Sequence, residues 1–111
     1  MPSNSYYNNT ALGGTVALAA SGPIKLTGYH LFNTSSAAAY VQLFDASTTA
    51  DVTIGTTAPS VVMGLPASGG AVMAVGEDGI RFQNGMVVAS TTTVNGTTTQ
   101  TTVVTLFFRR Q

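Results

Sequence analysis

One histidine, four carboxylates and four cations are the ionisable groups, tyrosines aside, on which this 111-residue chain could build a reaction. His30 stands inside a strand-like run, residues 24–32. To act as a general base it would need a nucleophile to deprotonate and an acid to orient its ring. No spacing in the sequence supplies either, so His30 is read as a half-buried structural residue. Glu77 and Asp78 are adjacent, and adjacent strand residues point to opposite faces, so they make a poor carboxylate pair. With Gly76 and Gly79 around them they have the composition of a tight turn. Asp45 and Asp51 flank a loop in which Ser47, Thr48 and Thr49 offer further oxygens; they are read as loop residues, not as metal ligands. Gly69-Gly70 lacks the lysine and the following helix of a phosphate loop. With no cysteine, disulfides and thiolate metal sites are excluded. The expectation is a protein that is not an enzyme and carries no cofactor or metal.

What remains is surface chemistry. Tyr6 and Tyr7 lie in an amide-rich stretch with no basic stripe beside them, which suits docking on a protein better than stacking on a base. Leu12 is the next sizeable anchor along that stretch. Phe107, Arg109 and Arg110 close the chain, the arginines placed either to meet a partner's carboxylate or to solvate the chain end. Only 7% of residues are charged, against roughly 25% in an ordinary soluble domain. The charges cancel, so no long-range field draws in nucleic acid or an anionic membrane. A spanning helix needs about 20 apolar residues in succession, and prolines, glycines and threonines interrupt every charge-free stretch here. Residues 16–21 faintly imitate a secretory segment, yet no Lys or Arg precedes them, and Lys25 is the first charge. A hydroxyl- and amide-rich surface, much of it covered by neighbouring subunits, accounts better for so neutral a composition.

These residues must be carried by strands. Thr and Val abound, Glu, Lys and Gln are scarce, and glycine breaks most runs long enough for three helical turns. Strand patterns fall at residues 15–20, 24–32, 39–44, 61–65, 71–75, 80–82, 86–89 and 103–109, with a short piece at 52–54. Turn signals separate them, among them Gly22-Pro23, Asn84-Gly85 and Asn95-Gly96. This spacing predicts an all-β, single-domain β-sandwich, jelly-roll-like. Residues 1–13 show no alternation and are expected to form an extended N-terminal arm, with the sandwich over 14–111. Deleting the arm would then spare the fold. Phe32, Tyr40, Phe44, Phe82, Phe107 and Phe108 are expected in the core. Residues 103–108 are apolar on both alternating faces, as in a central strand or one whose outer face meets another subunit.

The texture of residues 24–109 also resembles a known family. Leu26-Thr27-Gly28-Tyr29-His30-Leu31-Phe32-Asn33, then Ala37-Ala38-Ala39-Tyr40-Val41-Gln42-Leu43-Phe44-Asp45-Ala46, and Gly55-Thr56-Thr57-Ala58-Pro59 are similar to small virion proteins of tailed bacteriophages. Leu65-Pro66-Ala67-Ser68-Gly69-Gly70, Gly79-Ile80-Arg81-Phe82 and Gly85-Met86-Val87-Val88-Ala89 continue the pattern. The resemblance implies a capsid decoration or cement protein, a homotrimer made in the bacterial host cytoplasm and bound to the major capsid protein on the outer face of the virion shell. A head-fibre or tail component is also compatible, and a carbohydrate-binding β-sandwich is the rival from another class. The resemblance involves no catalytic motif, and it implies no nucleic-acid or membrane partner.

Overall fold

A computed structural model describes residues 4–76 and 78–111. Nine strands follow one another: β1 (Asn4–Leu12), β2 (Ala17–Ser21), β3 (Ile24–Asn33), β4 (Ala39–Asp45), β5 (Val61–Leu65), β6 (Gly70–Ala74), β7 (Ile80–Phe82), β8 (Gly85–Thr91) and β9 (Thr102–Arg110). All pair antiparallel, in two sheets. The first runs β1-β9-β3-β6, with β7 beside β6 on the same edge of β3; the second runs β2-β8-β4-β5. With the short β7 set aside, these are the two four-strand orders of a jelly roll, in which two Greek keys fold over one another. The chain is an all-β sandwich.

Alternation along the strands builds the core. Leu26 and Leu31 of β3 and Val104, Leu106 and Phe108 of β9 face Val41 and Leu43 of β4, Leu65 of β5 and Met86 and Val88 of β8, and none of these is more than 4% exposed. Phe44 and Phe82 are buried as expected, whereas Phe32 and Phe107 stand on the outer face of the first sheet, each about two-fifths exposed (41% and 42%).

Two further expectations are corrected. Residues 4–12 are not an arm beside the sandwich but β1, an edge strand of the first sheet paired with β9 from Asn4↔Arg109 to Leu12↔Thr102. Its polar composition hides it because a bulge between Asn9 and Leu12 breaks the alternation, held locally by the Ala11 N–H donating to Asn9 Oδ1 at 2.9 Å. No boundary therefore falls at residue 13 among the described residues; Met1 to Ser3 lie outside them. Residues 52–54 are not a strand. They follow a single 3-10 turn at Thr49–Asp51, and Val52 is apolar for another reason. It joins Phe44, Ala46 and Val87 in a second, smaller cluster, with Val16 and Ile54 packed on it.

That cluster makes the two sheets unequal. Phe44 and Gln42 of β4 alternate with core-facing Val41 and Leu43, so they point to the outer face of the second sheet, yet both are buried. Residues 46–60 cover Phe44. Residues 92–101 cover Gln42, whose Nε2 donates to Thr91 Oγ1 at 2.6 Å and to the Gly96 carbonyl at 3.4 Å. The chain thus wraps the middle of the outer face of its second sheet, over β4 and β8, with its own loops, and leaves Leu18 of β2 exposed at the rim. It leaves the outer face of the first sheet bare.

Candidate interaction face

Register places the residues of the bare face in rows across the strands. At one end Arg109 of β9 stands opposite Lys25 of β3, which in turn stands opposite Arg81 of β7. Arg110 lies at the same end, opposite Ile24, and donates to the Ser21 carbonyl. These are the four cations of the chain, gathered from positions far apart in sequence. Like charges directly opposite one another are unfavourable in a sheet taken by themselves.

Beyond it the face carries no charged residue in the next three rows. The first is Tyr6, Phe107, Gly28 and Ala74; the second is Asn8, Thr105, His30 and Val72; the third is Val103, Phe32 and Gly70. Tyr6 is 70% and Val72 74% exposed. A bulge between Leu26 and Gly28 shifts the register of β3. Gly28 offers no side chain: a Cβ there would lie 3.0 Å from the Met73 carbonyl oxygen and 3.7 Å from the Phe107 ring. An open groove of about 530 Å³ results, lined by Tyr29, His30, Val72, Met73, Phe107 and Arg109 among others. On the opposite face of β3 and β6, where Tyr29 packs on the core, the Tyr29 hydroxyl donates to the Met73 sulfur at 3.6 Å.

The row of His30 holds an amide, a hydroxyl and a valine but no carboxylate, and the Thr105 hydroxyl donates to Asn8 Oδ1 at 2.8 Å. His30 is exposed, not half-buried, because its position faces out beside Val72. The geometry supplies a flat, largely apolar contact surface with one basic end.

The expected surface residues divide. Tyr6 and Phe107 are direct cross-strand partners on the bare face. Arg109 joins the basic row, half-buried, and Arg110 stands at the same end. Tyr7 points the other way, packed on the core with its hydroxyl accepting from Asn9 Nδ2 at 2.9 Å. Leu12 is not an interface residue. It is 1% exposed and belongs to the core, because the bulge turns it inward. His30, Phe32, Val72 and Arg81 carry no local signal of a shared surface, since only strand register brings them together with Lys25 on this face.

Elsewhere, Asp45 has a structural task. Its carboxylate accepts from the Gln83 and Asn84 N–H groups at 3.1 and 2.8 Å, holding the turn between β7 and β8. Asp51 instead accepts from the Thr48 hydroxyl at 3.1 Å. No group of three or more His, Asp or Glu residues that could hold a metal occurs among the described residues; Glu77 lies outside them. Asp45→Ala is expected to lower unfolding free energy by about 1–3 kcal/mol, the worth of hydrogen bonds to a charged acceptor. Urea denaturation checks this, and no change in midpoint would mean that the turn holds itself.

The sequence matches no protein-family model, and no curated protein is significantly similar to it.

Proposed function

We propose that the protein is a non-enzymatic structural component of a virion, a capsid decoration protein that associates with copies of itself as a trimer and with the major capsid protein. The observation that supports this reading best is the inequality of the sheets. Where apolar residues lie outside the sandwich on β4 and β8, the chain covers them; where they lie outside on β1, β9, β3 and β6, it does not. Contiguous exposed apolar surface on a small domain is the usual mark of a protein contact. The texture of strands and turns resembles that of small phage virion proteins. A shell protein also needs what this fold has: closely paired sheets, few charges and a flat face that copies can share. Individually weak contacts suffice, since a trimer holding three shell subunits gains avidity of roughly 10²- to 10⁴-fold.

Phe107→Glu combined with Val72→Glu places charges in the middle of the face, at positions where neither side chain supports the core. The double variant is expected to keep the far-ultraviolet spectrum of the wild type. At tens of micromolar it should lose the threefold association of the wild type, and it should bind capsids lacking the protein at least tenfold more weakly. Wild-type binding should change little between 50 and 200 mM salt, because the contact is apolar. A loss of orders of magnitude over that range would assign attachment to the row of Lys25, Arg81 and Arg109 instead. A wild type that is monomeric and leaves capsids undecorated would overturn the proposal.

A further inference from the structure

Among the described residues four sheet edges pair with no further strand: β1 and β6–β7 on the first sheet, β2 and β5 on the second. Three are poor templates. The β6–β7 edge consists of strands of five and three residues. β2 has five residues, and β5 has five between Pro59 and Pro66. β1 has nine. In an antiparallel pair, alternate residues turn their N–H and C=O groups away from the partner, so along β1 these groups point from β9 into open space. Proteins ordinarily blunt such an edge with lysine, proline or an early bulge. Asn-Ser-Tyr-Tyr-Asn-Asn-Thr-Ala-Leu contains no charge and no proline, and its bulge comes only after Asn9.

We infer that the β1 edge pairs with the β1 edge of a second copy, antiparallel about a twofold axis through Tyr6, so that the first sheets of two molecules become one. The occupant follows from symmetry and charge. A twofold axis perpendicular to the sheet keeps outer faces together, so residues that meet must share a face, and the axis passes through a residue instead of between two. Centred on Tyr6, the pairing sets Tyr6 against its own copy, position 4 against position 8 and Ser5 against Tyr7. Positions 4 and 8 are both asparagine in sequence, so there and at Tyr6 this operation sets like residue types against one another, and it sets no charge against any. An identical strand usually meets its copy with like charges opposed, and β1 has none to oppose. Among the described residues the aromatic side chain directly across from Tyr6 is Phe107, on the β9 side. Pairing supplies one on the other side, extending the row to Phe107, Tyr6, Tyr6 of the second copy and its Phe107, which is how a tyrosine left 70% exposed in the single chain would be covered. An axis through Asn8 would run the pairing into the bulge.

This contact does not rest on the virion reading. If the bare face forms trimers, the edge joins trimers in twos; if it does not, the edge alone makes dimers. The chain has no cysteine, so Tyr6→Cys creates the sole thiol. Under mild oxidation at tens of micromolar most of this variant should run as a disulfide-linked dimer, because directly opposite residues bring their Cβ atoms within bridging range. Val94→Cys, in an exposed loop away from β1, controls for chance collision and should stay largely unlinked. Tyr6→Lys and Tyr6→Glu should each weaken self-association at least tenfold in sedimentation, with folding unchanged at so exposed a position. An equimolar mixture of the two should restore it, since opposite charges then meet across the axis. The Val72→Glu variant, changed on β6 at the other side of the sheet from β1, should still cross-link through Tyr6→Cys, which separates this contact from the one on the bare face. The inference is overturned if Tyr6→Cys links no faster than Val94→Cys, or if the Lys and Glu variants mixed together sediment no heavier than either alone.

Discussion

Removal of residues 1–12 is expected to leave no cooperatively folded sandwich at 25 °C. The segment looks dispensable by composition, but as β1 it pairs with β9 over seven register positions and buries Leu12 to 1% exposure. Losing the Leu12 side chain alone should cost about 2–5 kcal/mol. Losing the strand adds the packing of Tyr7 on the core and strips β9 of its neighbour on one side. β9 contributes Val104, Leu106 and Phe108 to the core, so its new edge would admit water to the centre of the first sheet. A domain of this size has about 5–15 kcal/mol of total stability, which such a loss consumes. Circular dichroism against temperature is the measurement. The truncated chain should show no sigmoidal transition, whereas Tyr6→Ala, which removes a side chain on the bare face, should shift the midpoint by only a few degrees. A truncated chain that melts within a few degrees of the full one would mean that β1 is attached to the fold without supporting it.

Gly85→Ala should be nearly as damaging for a different reason. Gly85 opens β8 at a positive φ of 148°, where two strands end together, and a Cβ there would come within 2.6 Å of the Ala46 carbonyl oxygen and 2.7 Å of that of Ala20. Neither neighbour is a flexible side chain. Both are backbone, held in place by the pairing of β8 with β4 and with β2. The strained backbone costs about 1–3 kcal/mol and the crowding a further 1–3 kcal/mol, so the sum is about 2–6 kcal/mol. Gly76→Ala separates the two contributions. That residue also has a positive φ, 96°, but nothing lies within 4 Å of its added Cβ, so it should lose only the first part. Urea midpoints of the two variants give the comparison. Equal losses would show that the carbonyls near Gly85 can move aside.

Much of this architecture was legible in the sequence because its causes are local. The segments read at 24–32, 61–65 and 80–82 correspond to β3, β5 and β7 within a residue at each end. Alternation of apolar side chains and the chemistry of glycine, proline and asparagine at turns act over a few residues and need no knowledge of the rest of the chain. The turn at Asn95-Gly96 is one case: Asn95 takes a φ of 56°, and Gly96 N–H donates to the Thr93 carbonyl at 3.0 Å. β1 shows where that logic ends. Its inward positions are Ser5, Tyr7 and Asn9, and a bulge then shifts the phase before Leu12. A strand at the rim of a sandwich can be half polar inside, and its identity comes from β9, nearly a hundred residues away in sequence.

The candidate face is divided in the same way. Neutral composition and a last strand apolar on both sides were properties of the sequence, and they pointed to contact surfaces in place of catalysis. Two accounts of that strand remained open, a central place in the sheet or cover from another molecule. The fold makes β9 central, between β1 and β3, and still leaves its Phe107 side uncovered. Which sheet the loops would wrap was decided only by tertiary structure, because residues 46–60 and 92–101 carry no local signal of the face they will cover. The basic row was equally hidden. Lys25, Arg81 and Arg109 become neighbours through register on β3, and register is a property of the whole sheet, set when every strand turns its apolar side to the same core.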